Sequence, residues 1–167
     1  MVNRIYPELL QIKTTVYDTC NFEFSNFVSD SESEEYQACS FKLNSFEIIH
    51  RLSKITPTKI GQFVTIWKRN SNGITAPFDV SDKFDFIIIT SKSAENLGQF
   101  VFPKSVLLEK GIINNSNNSG KRGIRVYPPW DIPTSKQAEK TQSWQTKYFY
   151  SINNYSFDID LVKDLIC

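Results

Sequence analysis

Histidine is nearly absent from this 167-residue chain, in which His50 is the only one. Cys20, Cys39 and Cys167 are widely spaced and odd in number. Zinc sites need clustered Cys and His ligands, and disulfide frameworks need paired cysteines, so the sequence argues against both. Catalysis by a Ser-His-Asp or Cys-His arrangement would require His50, which lies in a predicted strand without a nucleophile motif. We therefore interpret His50 as structural.

Long apolar runs are also missing. No eighteen consecutive residues are apolar, and the first ten residues contain no apolar signal segment. We therefore expect a cytoplasmic protein with no membrane partner. A glycine-rich phosphate loop is missing too, because Asn118–Gly123 has neither the required spacing nor a following helix.

The composition indicates a folded domain with a basic central part. Hydrophobic residues make up 40% of the chain and thirteen residues are Phe, so a single domain over residues 1–167 can bury a core. Residues 48–147 contain fifteen basic and seven acidic residues, whereas residues 1–47 contain three basic and eight acidic. This asymmetry predicts a basic face flanked by acidic segments.

The segment Ile48–Arg69 contains five cations and no acidic residue. Alternation predicts two strands, Ile48–Ile55 and Gln62–Arg69, joined by a turn that contains Pro57 and Gly61. A cationic hairpin with an aromatic row is suited to phosphates and stacked bases. An ordinary half-exposed hairpin has the same pattern.

The remaining pattern predicts an α+β fold with one mixed or antiparallel sheet of about five or six strands. Phe84–Thr90 is the most apolar strand and should lie at the sheet centre. An N-terminal helix and a long C-terminal helix, Ser135 to about Ser151, should pack on the sheet. Between them, Tyr36–Leu43 should form a hairpin with Phe46–Ile55, and Asn21–Glu35 should form a polar loop anchored by phenylalanines.

Four strings in the chain resemble the MepB family: RLSKITPTKIGQFVTIWKR, FDFIII, GQFVFPKSVLLEKGI and GKRGIRVYPPWDIPTSKQAEKTQSWQTKYF. The resemblance covers about Tyr36 to Phe149 and is weaker at residues 1–35 and 152–167. The family takes its name from a gene that accompanies a bacterial multidrug efflux pump. The resemblance implies a nuclease-like or DNA-binding fold, and it implies no particular substrate or cofactor.

We predict a non-catalytic protein that binds nucleic acid, with DNA favoured, and that needs no cofactor. The sequence does not determine its oligomeric state. Cations beside glycines, and a helix start at Thr134–Lys136, favour phosphate contacts. The candidate phosphate-binding residues are Arg51, Lys54, Lys59, Lys68, Arg69, Lys121, Arg122, Arg125, Lys136 and Lys140.

A metal-dependent nuclease of the restriction-endonuclease type, active or degenerate, is the first alternative. Such enzymes gather acids and a lysine on adjacent strands around Mg²⁺. Here Asp82 and Asp85 could bind the metal, and Asp85, Lys104 and Lys54 are the candidate catalytic residues. The expected acid-Xaa-Lys element is absent, because Lys104 follows the next strand too late.

A third possibility is an accessory protein that binds a nucleotide or another small molecule. Its pocket would be formed by Arg125, Lys104 and Trp130. This alternative predicts stabilisation by nucleotides and none by duplex DNA.

Overall fold

The computed structural model describes residues 4–167, which form a three-layer α+β domain. The strands are β1 (Phe24–Ser29), β2 (Cys39–Leu43), β3 (Phe46–Leu52), β4 (Lys54–Ile55), β5 (Gln62–Thr65), β6 (Trp67–Arg69), β7 (Thr75–Pro77), β8 (Phe86–Ser93), β9 (Asn96–Pro103), β10 (Gly123–Val126) and β11 (Phe149–Ile152). The helices are α1 (Pro7–Ile12), α2 (Lys104–Glu109), α3 (Lys136–Gln145) and α4 (Ile159–Leu165). A π-helical turn (Lys13–Tyr17) extends α1, and 3-10 turns span Ser31–Tyr36 and Thr146–Tyr148.

The main sheet has six strands in the order β1-β2-β3-β8-β9-β11. Strands β3 and β8 are parallel and the other neighbours are antiparallel, so the predicted mixed sheet is confirmed. The connection between β3 and β8 contains β4 to β7, which form parts of two small sheets. None of the helices within residues 4–167 has the length and apolarity required to cross a membrane.

Strand β8 is buried on both faces, which explains its continuous apolar run. Phe86 and Ile88 pack in a core with α1 and α4, where Leu9, Tyr17 and Val162 are also buried. On the other face, Ile87 and Ile89 pack in a second core with Phe100, Val64 and Val126. The sheet centre predicted from Phe84–Thr90 is therefore confirmed.

The segment Ile48–Arg69 does not form the single hairpin that we predicted. Its first residues belong to β3 in the main sheet, because the apolar residues there pair with the central strand β8. Ser53 separates β3 from β4, and the true hairpin joins the short β4 to β5 through residues 56–61. Strand β6 then pairs with β7 in a third sheet.

Two other predicted elements differ from the structure. The segment Asn21–Glu35 is not only a loop, because Phe24–Ser29 forms the edge strand β1. The helix that begins after Ser135 ends at Gln145, before a 3-10 turn and β11. Phe149–Ile152 becomes a strand because it pairs with β9 at the opposite edge of the sheet.

A buried hydrogen-bond network connects four strands of the main sheet with the π-helical turn after α1. The hydroxyls of Tyr17 and Tyr150 donate to Oε1 of Gln99, at 2.8 and 2.5 Å. Gln99 Nε2 donates to Oγ1 of Thr90 at 2.9 Å, and this oxygen lies 2.8 Å from His50 Nε2. These polar groups are buried and have partners, as the stability of a core requires.

Candidate nucleic-acid interface

A groove lies between strand β10, helix α3 and the loop at residues 56–61. It consists of two adjoining cavities of about 440 and 320 Å³, which share Arg125, Tyr127, Ser135 and Ala138 in their walls. Their cationic side chains are Lys59, Lys110, Lys121 and Arg125, and no acidic residue is among the described lining residues. We call these two adjoining cavities the basic groove.

Two amide side chains of α3 hold the helix against β10 and the segment that follows it. Gln145 is buried, its Oε1 accepts from the backbone N–H of Tyr127 at 2.8 Å, and its Nε2 donates to the carbonyl of Arg125 at 3.0 Å. Gln142 Nε2 donates to the carbonyls of Pro128 and Asp131. The Ser135 hydroxyl caps the start of α3 by accepting from the N–H of Ala138 at 3.1 Å.

Arg125 forms the floor where the two cavities meet. Its guanidinium donates to Thr56 Oγ1 at 2.6 Å and to the carbonyls of Ile60 and Gly61, each at 3.3 Å. Gly61 has φ +84°, and a Cβ there would lie 2.7 Å from the Tyr127 ring, so glycine is required at this point. Arg125 and Gly61 together hold the loop that carries Lys59 beside the groove.

Two aromatic residues line the basic groove. Tyr127 lies in the wall of both cavities, and Trp144 lies in the wall of the larger one. The ammonium of Lys110 lies 5.2 Å from the centroid of the Trp144 ring. Trp144 also packs on Phe102 of the core, with ring centroids 5.4 Å apart. Sequence reasoning missed Lys110, because a lone lysine after α2 has no pattern that points to the groove.

The structure brings only part of the predicted phosphate-binding set together. Lys59, Lys121 and Arg125 line the basic groove. Arg122 follows Lys121 and donates to the Thr75 carbonyl at 3.1 Å, and Lys136 and Lys140 are exposed on α3.

Four of the other predicted cations lie away from the groove. Three of them form ion pairs with acidic residues: Lys54 with Glu35 at 3.0 Å, Lys68 with Asp82 at 2.6 Å, and Arg69 with Glu32 at 2.7 Å. The fourth, Arg51, is only 4% exposed and does not present its charge on an open surface.

The sequence matches the MepB-like family model over residues 30–151, which is most of the chain. The chain belongs to the MepB-like family. Among solved structures, the crystal structure of MepB is similar to this MepB-like chain with a TM-score of 0.77 and 33% sequence identity, over 89% of this chain and 99% of that one. The family resemblance and the α+β fold predicted from the sequence are thereby confirmed.

A bacterial homing endonuclease is a more distant structural neighbour. Its TM-score is 0.43 at 14% identity, over 81% of this MepB-like chain and 82% of the endonuclease chain. This likeness is too weak to support any argument about fold or activity. A search of curated proteins finds no match.

The residues of the nuclease alternative do not assemble a metal site in this MepB-like structure. The Asp82 carboxylate binds Lys68, and Lys104 donates to the backbone carbonyl of Asp82. Asp85 accepts from the backbone N–H of Glu47 at 2.8 Å, while Lys54 lies in a different sheet. Within residues 4–167, no three Asp, Glu, His or Cys side chains are grouped as metal ligands.

The three residues that would form the pocket of the small-molecule alternative lie in different parts of the structure. Arg125 lines the basic groove, whereas Lys104 lies over the Phe84 ring at 4.7 Å. Trp130 packs edge-on against Phe149, with ring centroids 5.7 Å apart, so it belongs to the second core of the MepB-like fold. The three residues do not line one cavity among those described.

Proposed function

We propose that this MepB-like protein binds nucleic acid, with DNA as the favoured partner, through the basic groove. The observation that carries the proposal is the set of four cations, Lys59, Lys110, Lys121 and Arg125, around a groove with no acidic residue among its described lining residues. Lysine and arginine attract phosphates wherever no nearby carboxylate offsets their charge.

Three features of the groove support a phosphate backbone as its ligand. Helix α3 begins there, and the unpaired N–H groups of a helix start favour an anion. Tyr127 and Trp144 offer aromatic surfaces on which an unpaired base can stack. Lys136 and Lys140 are exposed on the same helix and would extend the positive field along the ligand.

The ion-paired cations are left out of the proposed surface for an electrostatic reason. A phosphate approaching Lys54, Lys68 or Arg69 meets the carboxylate that already balances that charge. Its binding would release little free energy, since one ion pair would only replace another. The binding surface is therefore smaller than the sequence pattern predicts.

Fluorescence anisotropy with labelled single-stranded and duplex oligonucleotides of one sequence tests the proposal. We expect log K to fall linearly with log salt concentration. Lys59→Ala combined with Lys121→Ala should weaken duplex binding for every sequence and reduce the magnitude of the salt slope by about 1.8, at about 0.9 per phosphate contact. The reactions should be run with and without Mg²⁺ and then examined on a gel, because metal-dependent cleavage would support the nuclease alternative.

The control is Lys83→Ala combined with Lys163→Ala, which removes the same charge from the loop before β8 and from α4. This pair should leave the slope unchanged, because neither lysine lines the groove. Equal slope changes in the two double variants would show that only net charge matters, and would refute the assignment of the groove. Absence of binding at low salt would refute nucleic-acid binding itself.

A further inference from the structure

A third cavity, of about 510 Å³, lies between the 3-10 turn after β1, the strands β2 and β3, and strand β6. Arg51, Phe78 and Trp67 are among its lining residues. We call it the Arg51 cavity. It shares no lining residue with the basic groove, so the two can be tested independently. Its volume lies within the range of pockets that hold small organic ligands.

Arg51 lies in the wall of this cavity and forms no salt bridge among the residues that the structure describes. Its Nη1 donates to the carbonyl of His50 at 2.9 Å, and its Nη2 lies 3.4 Å from the carbonyl of Trp67. Both acceptors are neutral, and Nε has no hydrogen-bond partner within residues 4–167. Among residues 4–167, no carboxylate forms an ion pair with Arg51.

A buried cation without a directly paired carboxylate is costly, since it has lost water without gaining an ion-pair partner. Burial lowers the pKa of Arg51, and the negative charge of Asp30 is the largest influence in the opposite direction. Guanidinium remains protonated in proteins, so the group cannot relieve the cost by losing its proton. An anion that enters the cavity would relieve it.

The other walls restrict the kind of anion. The Phe78 ring centroid lies 5.8 Å from Arg51 Cζ, and Trp67 and Ile49 add apolar surface. Lys68 and Arg69 also line the cavity but are already paired with Asp82 and Glu32. The carboxylate of Asp30, which also lines the cavity, disfavours a second negative charge on the ligand. The cavity therefore suits one negative charge on an apolar body.

We propose that the Arg51 cavity binds a small organic monocarboxylate, with its carboxylate on the guanidinium of Arg51 and its apolar body against Phe78 and Trp67. Guanidinium has five N–H donors, of which the structure assigns one to each of two carbonyls. Nε–H is buried, so the donors left for a ligand are the second N–H of Nη1 and of Nη2, and this pair fits the two oxygens of a carboxylate.

Benzoate and its neutral isostere benzamide are suitable probes, measured by calorimetry and by thermal shift on the full chain. Benzoate should bind and raise Tm, whereas benzamide at the same concentration should do neither. Arg51→Met should weaken benzoate binding about tenfold or more, because it removes a charge-assisted pair. Without ligand, the variant should melt no lower than the original protein, since an apolar side chain of similar size replaces a buried charge without an ion-pair partner.

Two further variants complete the test. Arg122→Met changes an exposed arginine near the basic groove and should leave benzoate binding unchanged. Ser40→Phe narrows the Arg51 cavity while keeping Arg51, and should abolish binding even if Arg51→Met fails to fold. Equal responses to benzoate and benzamide would overturn the proposal, as would benzoate binding that survives Ser40→Phe. Stronger binding of inorganic phosphate at the same site would overturn the assignment to monocarboxylates.

Discussion

Arg125 Nη2 donates to Thr56 Oγ1 at 2.6 Å, which joins two residues that are 69 positions apart in the chain. The same guanidinium reaches the carbonyls of Ile60 and Gly61. A single side chain from β10 therefore holds both ends of the loop that carries Lys59. Arg125 consequently has two roles in the basic groove, as a cation and as the support of a loop.

Arg125→Met should loosen this loop without unfolding the domain. We expect faster hydrogen exchange in residues 56–61 and a loss of about 1 to 3 kcal/mol in the free energy of unfolding, because the hydrogen bonds come from a charged group. Exchange measured by mass spectrometry and urea unfolding would test this. Arg122→Met is the matched control, since that exposed guanidinium makes a contact with Thr75. Unchanged exchange at residues 56–61 in Arg125→Met would contradict the role.

His50 should make the protein less stable in acid. Burial lowers the pKa of His50 to about 4, from an ordinary value of 6.5. Below pH 6.5 the unfolded chain binds a proton that the folded protein does not, so stability decreases as the pH falls from 6.5 towards 4. This term should reach about 3 kcal/mol at pH 4.

His50→Gln removes the titrating group and is the variant that isolates this term. The free energy of unfolding, measured with urea at each pH, should fall between pH 7 and pH 4 in both proteins. The fall should be about 3 kcal/mol larger in the original protein than in His50→Gln. Glu8 and Asp79 have lowered pKa values and also contribute to acid sensitivity, but they contribute in both proteins. Parallel stability curves would mean that His50 is protonated inside the folded protein.

Substitution of Gln99 should lower the free energy of unfolding more than substitution of most other polar residues in the core. Gln99→Met removes the acceptor of two buried tyrosine hydroxyls, those of Tyr17 and Tyr150. Each unsatisfied hydroxyl costs about 1 to 3 kcal/mol, so the variant should lose about 2 to 6 kcal/mol in urea unfolding. Adding Tyr17→Phe and Tyr150→Phe removes the stranded hydroxyls and should restore at least half of the loss. A triple variant no more stable than Gln99→Met would show that packing, not hydrogen bonding, is responsible.

The sequence was sufficient to predict the helices and strands that depend on residues close together in the chain. Phe84–Thr90 identified the central strand because a strand buried on both faces needs a continuous apolar run. Ser135 and the residues after it identified the start of α3, because capping depends on residues within one turn. The sequence pattern predicts a helix as far as about Ser151, but Phe149–Ile152 forms a strand, since pairing with β9 at the sheet edge is a long-range effect that local periodicity does not contain.

The sequence specifies how many charged residues the protein has, but it does not show which of them lie together in the folded structure. Lys59 and Arg69 look alike within one basic segment, yet Lys59 is exposed beside the basic groove while Arg69 pairs with Glu32, 37 residues earlier. Arg51 differs again, because β3 carries it below the surface. The number of cations follows directly from the sequence. Tertiary structure decided which of them keep an unbalanced charge, because ion pairing and burial depend on side chains brought together from distant parts of the chain.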